Sequence, residues 1–369
     1  MDSPTTSLPG RPAAHKRRQV ADGLRKMIAE LRSGDRLPSL SHLEKHYGVA
    51  KSTVEAAVHE LEAEGLIVRR HGAGTFVAGG GREPGRARVG RMMITSVPLG
   101  QSLNIFSSMA AALEAEMRRM GYDALLYGET SSALRLRGAQ ERWEAGGVDG
   151  YIHIGSLEDD TVFPAVPGVV IGDVPGGAKV HQVAVDNYGG GRRAGEYLWD
   201  LGHRRVAFVA TRYLLPGAAR FRGFADSFVE RGGREEDVRF ACIESLAAGG
   251  GPPRLETVLR ELLREGEPPT ALFFANDQVA FPALQMLLAW GYRVPGDVAV
   301  LSFDDTPGLA NQTRPALTSL RMPTLALAAL AVQTLHQAIL DPSLPFRHLL
   351  LPAELITRES SGPTPEPAA

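Results

Sequence analysis

Short apolar runs alternate with amphipathic stretches along most of the chain. Seven runs predict β-strands, at 91–97, 123–127, 150–154, 169–172, 205–210, 270–275 and 298–303. Several are apolar nearly throughout, which is typical of parallel strands buried on both faces. Helical spacing of apolar residues predicts helices between them, at 106–120, 191–201, 218–231, 254–263 and 279–290. The alternation predicts an α/β fold with right-handed crossovers and helices on both faces of open sheets.

The stretch 15–78 has a different pattern, dominated by helical spacing. A first helix is predicted from the apolar face formed by Val20, Leu24, Met27, Ile28 and Leu31. Ser39 is a favourable N-cap for a short second helix that ends at Gly48. A third helix is predicted from about 51 to 64. Two helices joined by a tight turn that contains glycine are the signature of a helix-turn-helix.

A β-hairpin is predicted after the third helix. The segments 66–70 and 75–78 flank a glycine-containing tip at 71–74. A basic hairpin with glycine at its tip can approach a DNA backbone or minor groove closely, since no bulky side chain intervenes. The other interpretation of 15–78 is a small helical domain whose charged residues are simply solvated.

Charge is distributed unevenly along the chain. Residues 1–91 carry 16 Lys and Arg against 10 Asp and Glu, whereas the remainder carries 24 against 32. We therefore expect a small basic module joined to a larger acidic body. The single cysteine, Cys242, excludes a disulfide framework and a thiolate metal cluster.

Composition also predicts the domain boundaries. Residues 1–14 and 358–369 are expected to be disordered tails, and the Gly- and Arg-rich stretch 79–89 a flexible linker. These leave folded domains at 15–78 and 90–357. The apolar stretch 325–332 is too short to cross a bilayer, and residues 1–14 lack the apolar region of a secretory signal. We expect no membrane association and a cytoplasmic location.

The order of a helix, Asp-Arg-Leu-Pro-Ser, a turn, a helix and the run EAEGLIVRRHGAGTFV closely resembles the winged-helix DNA-binding domain of the GntR family of bacterial transcription regulators. The resemblance covers residues 15–78. It implies that Arg36 contacts a phosphate of double-stranded operator DNA. It also implies that Lys51, Ser52 and Thr53 enter the major groove and that His71 and Gly72 form the wing tip.

The chain departs from the common pattern of that family at the groove-facing positions. Leu40-Ser41 replaces a usual Glu-Arg, Glu55 replaces a usual Arg, and Ala50 replaces a capping Ser. Two groove-facing arginines are thus absent, so we expect an operator unlike the common one. Glu55 either accepts a hydrogen bond from a cytosine amino group or pairs with Lys51 one turn earlier, and we favour the pairing.

Residues 90–360 resemble the effector-binding domain of LacI-type repressors, which has the fold of periplasmic sugar-binding proteins. The residues that carry this resemblance include VDNYGG from 185, LGHRRVAF from 201, RFRGF from 220, FANDQVA from 274, VPGDVAV from 294 and SFDD from 302. The resemblance implies a periplasmic-binding-protein-like body of two Rossmann-like subdomains.

Polar side chains stand where a ligand site is expected in such sheets, just after the strands. Asp173, Asn276 and Asp304 follow predicted strands, and Arg220 precedes a helical stretch. These groups suit hydrogen bonding to hydroxyls or a carboxylate, and the resemblance places them in ligand binding. The alternative is that Asn276 and Asp304 are helix or turn caps. We expect Asp305 to be a cap and Asp186-Asn187 to hold the turn into the following helix.

Other classes of function are less well supported. The body contains one lysine, Lys179, which argues against a fused aminotransferase-like domain that needs a Schiff-base lysine. The glycines at 189–191 fit a loose dinucleotide pattern but are better read as a helix start, so we expect neither a cofactor nor a metal.

The leucine stripe at 325–335 is expected to be core or dimer surface. The sequence thus predicts a homodimeric, ligand-controlled transcription regulator, a carbohydrate-sensing repressor, rather than an enzyme or a transport protein.

Overall fold

A computed structural model describes most of the chain. The described residues are 11–31, 35–63, 66–70, 74–77, 90–96, 105–129, 131–157, 161–211, 215–243, 252–264 and 266–364. They form two compact units, which are described in turn. Within these ranges, no helix combines the length and the apolar character needed to span a membrane.

The amino-terminal unit is a winged helix-turn-helix. Its elements are α1 (Arg11–Glu30), α2 (Leu40–Tyr47), α3 (Lys51–Ala63) and the antiparallel strands β1 (Ile67–Arg70) and β2 (Gly74–Val77). Ser39 caps α2 by accepting a hydrogen bond from the His42 N–H, and Gly48 ends it with φ 61. The predicted order of elements is confirmed. The predicted tail 1–14 is too long, since α1 already begins at Arg11.

One apolar core holds this unit together. The buried face of α3 consists of Val54, Ala57, Val58 and Leu61, and the apolar face of α1 packs against it. The core consists of Val20, Ala21, Leu24, Leu37, Leu43, Val54, Ala57, Val58, Leu61, Ile67 and Val77. Because the core side chains of α3 all point inward, the opposite face of that helix is left to solvent or to a partner.

The carboxy-terminal unit contains two six-stranded sheets. The first has the order β13-β7-β6-β5-β3-β4. Its strands are β3 (Gly90–Ser96), β4 (Tyr122–Gly128), β5 (Gly150–Ile154), β6 (Gly168–Ile171), β7 (His181–Val185) and β13 (His348–Leu351). The helices α4 (Ile105–Arg119) and α10 (Thr324–Leu340) pack on one face of this sheet, and α5 (Ser132–Glu144) follows β4.

The second sheet has the order β14-β12-β11-β10-β8-β9. Its strands are β8 (Val206–Thr211), β9 (Val238–Ile243), β10 (Ala271–Phe274), β11 (Ala299–Asp304), β12 (Thr318–Arg321) and β14 (Glu354–Ile356). The helices α6 (Asn187–Asp200) and α7 (Leu215–Glu230) cover one face, and α8 (Pro252–Arg264) and α9 (Asp277–Ala289) cover the other. The predicted α/β class with two Rossmann-like sheets is confirmed.

The chain crosses between the sheets three times. It passes from β7 to α6, returns from β12 to α10, and passes again from β13 to β14. The strand pairs from β13 to β3 in the first sheet and from β12 to β9 in the second are parallel, and the β12–β14 pair is antiparallel. The carboxyl ends of the parallel strands therefore share one edge of each sheet. Residues just beyond those ends are therefore brought together from both sheets.

Glycines let α6 and α7 approach closely. A Cβ at Gly191 would lie 2.0 Å from the Arg220 carbonyl oxygen, and one at Gly223 would lie 2.1 Å from the Tyr188 carbonyl oxygen. Both neighbours are backbone atoms that cannot swing aside. The glycines at 189–191 therefore serve helix packing at the start of α6, which confirms the prediction of a helix start there.

The predicted disordered tail 358–369 is contradicted over 358–364. Ser360 is fully buried, and its hydroxyl donates to the Val300 carbonyl oxygen at 2.7 Å. Its backbone carbonyl accepts a hydrogen bond from the Val300 N–H at 2.7 Å. Composition alone suggested disorder, but these polar residues complete the hydrogen bonding of the neighbouring sheet.

Candidate ligand-binding site and nucleic-acid interface

The first turn of α3 presents three of the predicted DNA-binding residues. Lys51 and Ser52 are exposed, and Thr53 is half-buried. The Lys51 Nζ lies 3.8 Å from a carboxylate oxygen of Glu55, as the favoured interpretation of Glu55 predicted. At this distance on an exposed helix face the pair is weak, so Lys51 can exchange it for a phosphate.

Arg36 lies against the hairpin. The segment that carries it extends the hairpin through hydrogen bonds of 2.8 Å from Leu37 N to Thr75 O and from Val77 N to Asp35 O. The exposed Arg36 side chain passes so near Gly74 that a Cβ there would lie 2.8 Å from its Nε. Gly74 also has φ 118, which favours glycine. His71 and Gly72 lie outside the described residues, so their assignment to the wing tip stays a prediction.

Arg220 is the centre of the second candidate site. It lies on α7, is 5% exposed, and each nitrogen of its guanidinium has a protein partner. Nε donates to Asn187 Oδ1 at 2.9 Å, Nη1 donates to the Ala275 carbonyl oxygen, and Nη2 lies 3.5 Å from Asp304 Oδ1. The ring of Phe303 covers one face of the guanidinium, 3.5 Å from its central carbon.

Asn187 joins Arg220 to the first sheet. Its amide nitrogen donates to the carboxylate of Asp173 at 3.2 Å, while its oxygen accepts from Arg220. Asp173 follows β6 of the first sheet, and Asp304 ends β11 of the second. We call Asp173, Asn187, Arg220 and Asp304 the Arg220 cluster. It draws together three of the four predicted ligand-binding residues.

Asn187 was expected to hold a turn rather than to join the site. The adjacent Asp186 does hold that turn, since its carboxylate accepts a hydrogen bond from the Gly189 N–H at 2.8 Å. Asn187 is instead buried within the cluster. The sequence feature that could have identified Asn187 as a site residue is its position at the junction between β7 and α6. The strand β7 was not predicted from the sequence pattern, so this position was not recognised.

Asn276 acts as a helix cap, the alternative weighed from the sequence. Its side-chain oxygen accepts a hydrogen bond from the Val279 N–H at 3.1 Å and so begins α9. A capping role for the oxygen leaves the amide nitrogen for other contacts. The ligand-binding role predicted for Asn276 stays a prediction. Asn276 is adjacent in sequence to Ala275, whose carbonyl oxygen accepts a hydrogen bond from Arg220.

Asp277 is a buried acceptor that was not among the predicted site residues. Its carboxylate accepts hydrogen bonds from the hydroxyls of Ser302 at 2.6 Å and Ser319 at 3.0 Å and from the Thr306 N–H at 2.6 Å. These donors belong to β11, to β12 and to the loop after β11. Asp277 therefore ties together the backbone on either side of Asp304, which has φ 100.

Asp305 is not the simple cap that was expected. Its carboxylate pairs with Arg321 Nε at 2.7 Å and with Arg358 Nη2 at 2.7 Å. Arg358 belongs to the stretch that was predicted to be disordered. Because that stretch is ordered against the sheet, it supplies a cation that local sequence could not assign to Asp305.

The carboxyl groups of the site are perturbed by burial. Burial raises the pKa of Asp173 and of Asp304, although the charge of Arg220 opposes both shifts. The pKa of Asp277 is raised to about 6, chiefly by burial and then by the nearby charge of Asp304. Burial in turn lowers the pKa of Arg220. Desolvated carboxylates and amides of this kind can bind hydroxyl groups by paired hydrogen bonds.

Family models match both parts of the chain. One described as "Bacterial regulatory proteins, gntR family" matches residues 16–77. One described as "Periplasmic binding protein-like domain" matches residues 196–361. Both matches confirm the resemblances drawn from the sequence.

Relatives along much of the chain bear the names of transcriptional regulators. The HTH-type transcriptional regulator CelR of Thermobifida fusca is 32% identical over 222 residues, 58% of this chain and 63% of that protein, so the match spans less than two thirds of that relative. The arabinose metabolism transcriptional repressor of Geobacillus stearothermophilus is 26% identical over 352 residues, 90% of this chain and 93% of that protein.

A solved structure described as a transcriptional regulator CelR–cellobiose complex has the same fold. It superposes with a TM-score of 0.64 at 24% identity and covers 88% of this chain and 100% of that one. At this identity the likeness establishes the arrangement of elements. The roles of individual residues must come from the geometry described above.

Proposed function

We propose that this chain, a transcriptional regulator that joins a DNA-binding domain of the gntR family to a periplasmic-binding-protein-like domain, is controlled by a sugar or sugar derivative that binds at the Arg220 cluster. It acts in the cytoplasm as a repressor. The single observation that carries the proposal is the position of the cluster, where buried and half-buried polar groups from both sheets meet near the carboxyl ends of the strands.

The chemistry of the cluster suits a polyhydroxylated ligand. Hydroxyl groups both donate and accept hydrogen bonds, so they match carboxylates, an amide and the remaining N–H groups of a guanidinium. The cellobiose in the CelR complex and the arabinose in the name of the Geobacillus repressor support this ligand class. Because the contacting residues come from two sheets, a bound ligand favours one arrangement of the two halves over another.

The amino-terminal unit binds double-stranded operator DNA. Arg36 contacts a phosphate, the first turn of α3 enters the major groove with Lys51, Ser52 and Thr53, and His71 with Gly72 forms the wing tip. The exposed positions of Arg36, Lys51 and Ser52 support this assignment. A homodimer presents two such units to a nearly palindromic operator, as is usual for helix-turn-helix proteins.

Ligand and DNA are coupled through the protein. If the two arrangements of the body hold the DNA-binding units differently, ligand changes the operator affinity by the same factor by which operator changes the ligand affinity. The coupling free energy that corresponds to this factor is typically about 1–3 kcal/mol. The coupling is reciprocal, so measuring it in either direction determines whether the ligand releases or recruits DNA.

The test is a thermal-shift screen of the full-length protein against a panel of sugars. A ligand present at 100 times its Kd stabilises the protein by about 2.7 kcal/mol. Operator affinity is then measured with and without each stabilising sugar, on DNA from the promoter region of the chain's own gene. A panel that produces no stabilisation, or a stabilising sugar that leaves operator affinity unchanged, contradicts the proposal.

Two variants locate the ligand site. Arg220→Ala should abolish the ligand response while operator binding persists. Arg220→Lys keeps a positive charge beside Asp304 but cannot reproduce three donor nitrogens, so its ligand affinity should also fall. Ligand affinity that is unchanged in both variants would remove the Arg220 cluster from ligand binding.

A further inference from the structure

Acidic groups outnumber the cation at the Arg220 cluster. Asp304, Asp173 and Asp277 all interact electrostatically with Arg220. Arg220 and Asp304 are both less than a tenth exposed, and Asp277 is fully buried. Water therefore screens these charges weakly. Counting Asp277 beside the cluster, one guanidinium faces three carboxyl groups, so the charge of the site is negative or at most balanced.

The guanidinium is already committed to the protein. An arginine that binds a carboxylate or phosphate frequently does so with two parallel N–H groups. In this chain Nε is used by Asn187, Nη1 by Ala275 and Nη2 by Asp304. One N–H group remains on each Nη, and the charge of the guanidinium is already paired with Asp304. These two donors therefore suit the hydroxyl or ring oxygens of a neutral molecule.

Two further arginines at the same edge of the second sheet are also engaged. Arg321 stands beside Asp304 in the β11–β12 register, but its Nε binds Asp305 at 2.7 Å. Arg358 binds the other oxygen of Asp305 at 2.7 Å. Arg321 Nη1 also lies 3.6 Å from a carboxylate oxygen of Glu354. These two described arginines therefore face two carboxylates before any ligand arrives.

The two helices that begin at the site have capped amino termini. The carboxylate of Asp186 accepts from the Gly189 N–H at the start of α6, and Asn276 accepts from the Val279 N–H at the start of α9. A helix amino terminus is a common site for a phosphate. Here one N–H group of each helix terminus already donates to a side-chain oxygen, and at α6 that oxygen is itself anionic.

The chain between the described ranges adds few cations to this unit. Its stretches 97–104, 130, 158–160, 212–214, 244–251 and 265 contain Arg212 as the single basic residue. They contain the acidic residues Glu158, Asp159, Asp160, Glu244 and Glu265. The sequence in these stretches thus supplies more negative than positive charge.

We infer that the ligand of the Arg220 cluster is an electrically neutral polyol, and that sugar phosphates and sugar acids are rejected by this site. The inference rests on the proposed function and narrows its ligand class. It follows from three independent features: the excess of buried carboxyl groups, the engaged arginines and the capped helix termini.

Matched pairs of neutral and anionic sugars test this inference by titration calorimetry on the full-length protein. The pairs are D-ribose with D-ribose 5-phosphate, D-glucose with D-glucose 6-phosphate, and cellobiose with cellobionate. Like charges in a desolvated site cost several kcal/mol, so in any pair that binds we expect the neutral member to bind roughly 100-fold more tightly or better. Equal or tighter binding of an anionic member overturns the inference while the proposed function stands.

A charge-removing variant separates electrostatics from shape. Asp173→Asn keeps the size of the side chain and the acceptor for Asn187, but it removes one negative charge. The ratio of neutral to anionic affinity should fall by about tenfold in this variant. The control is Asp200→Asn, an exposed residue that pairs with Arg231 and whose loss should leave the ratio unchanged.

The remaining outcomes are also decisive. A ratio that is the same in Asp173→Asn as in the unaltered protein shows that charge at the cluster does not select the ligand. If neither member of any pair binds, the proposed sugar-binding function fails and this inference fails with it. Melting temperatures of both variants establish that they are folded before the ratios are compared.

Discussion

Arg220 donates from its Nε to the side-chain oxygen of Asn187 at 2.9 Å. The two residues lie 33 positions apart, one inside α7 and one at the first turn of α6. Because the Asn187 amide nitrogen also donates to Asp173, a neutral side chain links the cation of one sheet to a carboxylate of the other. The link makes Asn187 the natural first target for mutation.

Asn187→Ala should weaken ligand binding. The substitution leaves Arg220 Nε without its acceptor and Asp173 without a donor in a buried setting. A hydrogen bond to a charged group contributes about 1.5–3 kcal/mol, so we expect ligand affinity to fall by roughly 10- to 100-fold. The change in affinity is measured by titration calorimetry with a sugar identified in the thermal-shift screen.

Tyr188→Phe is the matched control for Asn187→Ala. It removes the neighbouring side-chain hydrogen bond, from Tyr188 to Asp226 at 2.9 Å, on the exposed side of α6. Ligand affinity should be unchanged in this variant. A comparable loss of affinity in both variants would mean that the start of α6 as a whole, rather than the amide of Asn187, determines binding.

Gly191→Ala should destabilise the protein and disturb the cluster together. The new Cβ would lie 2.0 Å from the Arg220 carbonyl oxygen, so α6 and α7 must separate. Overpacking of a core typically costs about 1–3 kcal/mol. Urea unfolding should show a lower midpoint, and ligand affinity should fall because Arg220 moves with its backbone.

Gly176→Ala provides the comparison for Gly191→Ala. A Cβ at Gly176 meets no atom within 4 Å. The alanine restricts the unfolded chain without a clash, so stability should change little or rise by up to about 1 kcal/mol. If the two alanine variants unfold at the same urea concentration, the close approach of the helices is not constrained as described.

Asp277→Asn should change how stability depends on pH. The pKa of Asp277 is raised to about 6 in the folded protein, chiefly by burial, from an ordinary value of 3.8. Between these values the folded state binds more protons than the unfolded state. The contribution of Asp277 to stability is therefore fully present below pH 4 and lost as the pH rises through 6.

Urea unfolding from pH 4 to pH 7 measures this dependence. The free energy of unfolding of the unaltered protein, relative to Asp277→Asn, should decrease by about 2–3 kcal/mol over that range. Asparagine does not titrate, so the difference isolates the carboxyl group. Asp200→Asn should give a curve parallel to that of the unaltered protein. If the difference in unfolding free energy between the unaltered protein and Asp277→Asn does not vary with pH, the raised pKa of Asp277 is contradicted.

Lys51→Ala should weaken operator binding and its dependence on salt. A lysine that neutralises one phosphate contributes about one unit to the slope of log K against log salt. Glu55→Gln should have the opposite effect, because it frees Lys51 from the carboxylate at 3.8 Å. Fluorescence anisotropy of labelled operator at several salt concentrations measures both slopes.

Arg118→Ala controls for general charge effects on operator binding. Arg118 is an exposed residue of α4 that pairs with Glu114, and it belongs to the other compact unit. Its removal should leave the salt slope unchanged. A slope that is the same in Lys51→Ala as in the unaltered protein removes Lys51 from the phosphate contacts.

Local sequence determined the amino-terminal unit and the central strands of the body. Ser39 and Gly48 cap α2 as expected, since capping depends only on residues within a turn or two. The buried strand β5 was predicted at its observed bounds, because strands covered on both faces are continuous apolar runs. The edge strand β9 alternates between buried and exposed positions and lies at one side of its sheet, and it was missed.

Tertiary structure alone decided which polar groups meet. Asp173 and Asp304 were predicted from their positions at strand ends and Arg220 beside a helical stretch, yet Asn187 and Asp277 entered the site only through long-range pairing. In α10, Leu327 is fully buried whereas Leu325 is 79% exposed, so the stripe that sequence left as core or dimer surface is core only in part. Helical or strand spacing determines which side chains share a face, whereas burial and hydrogen-bond partners depend on residues tens of positions away in the chain.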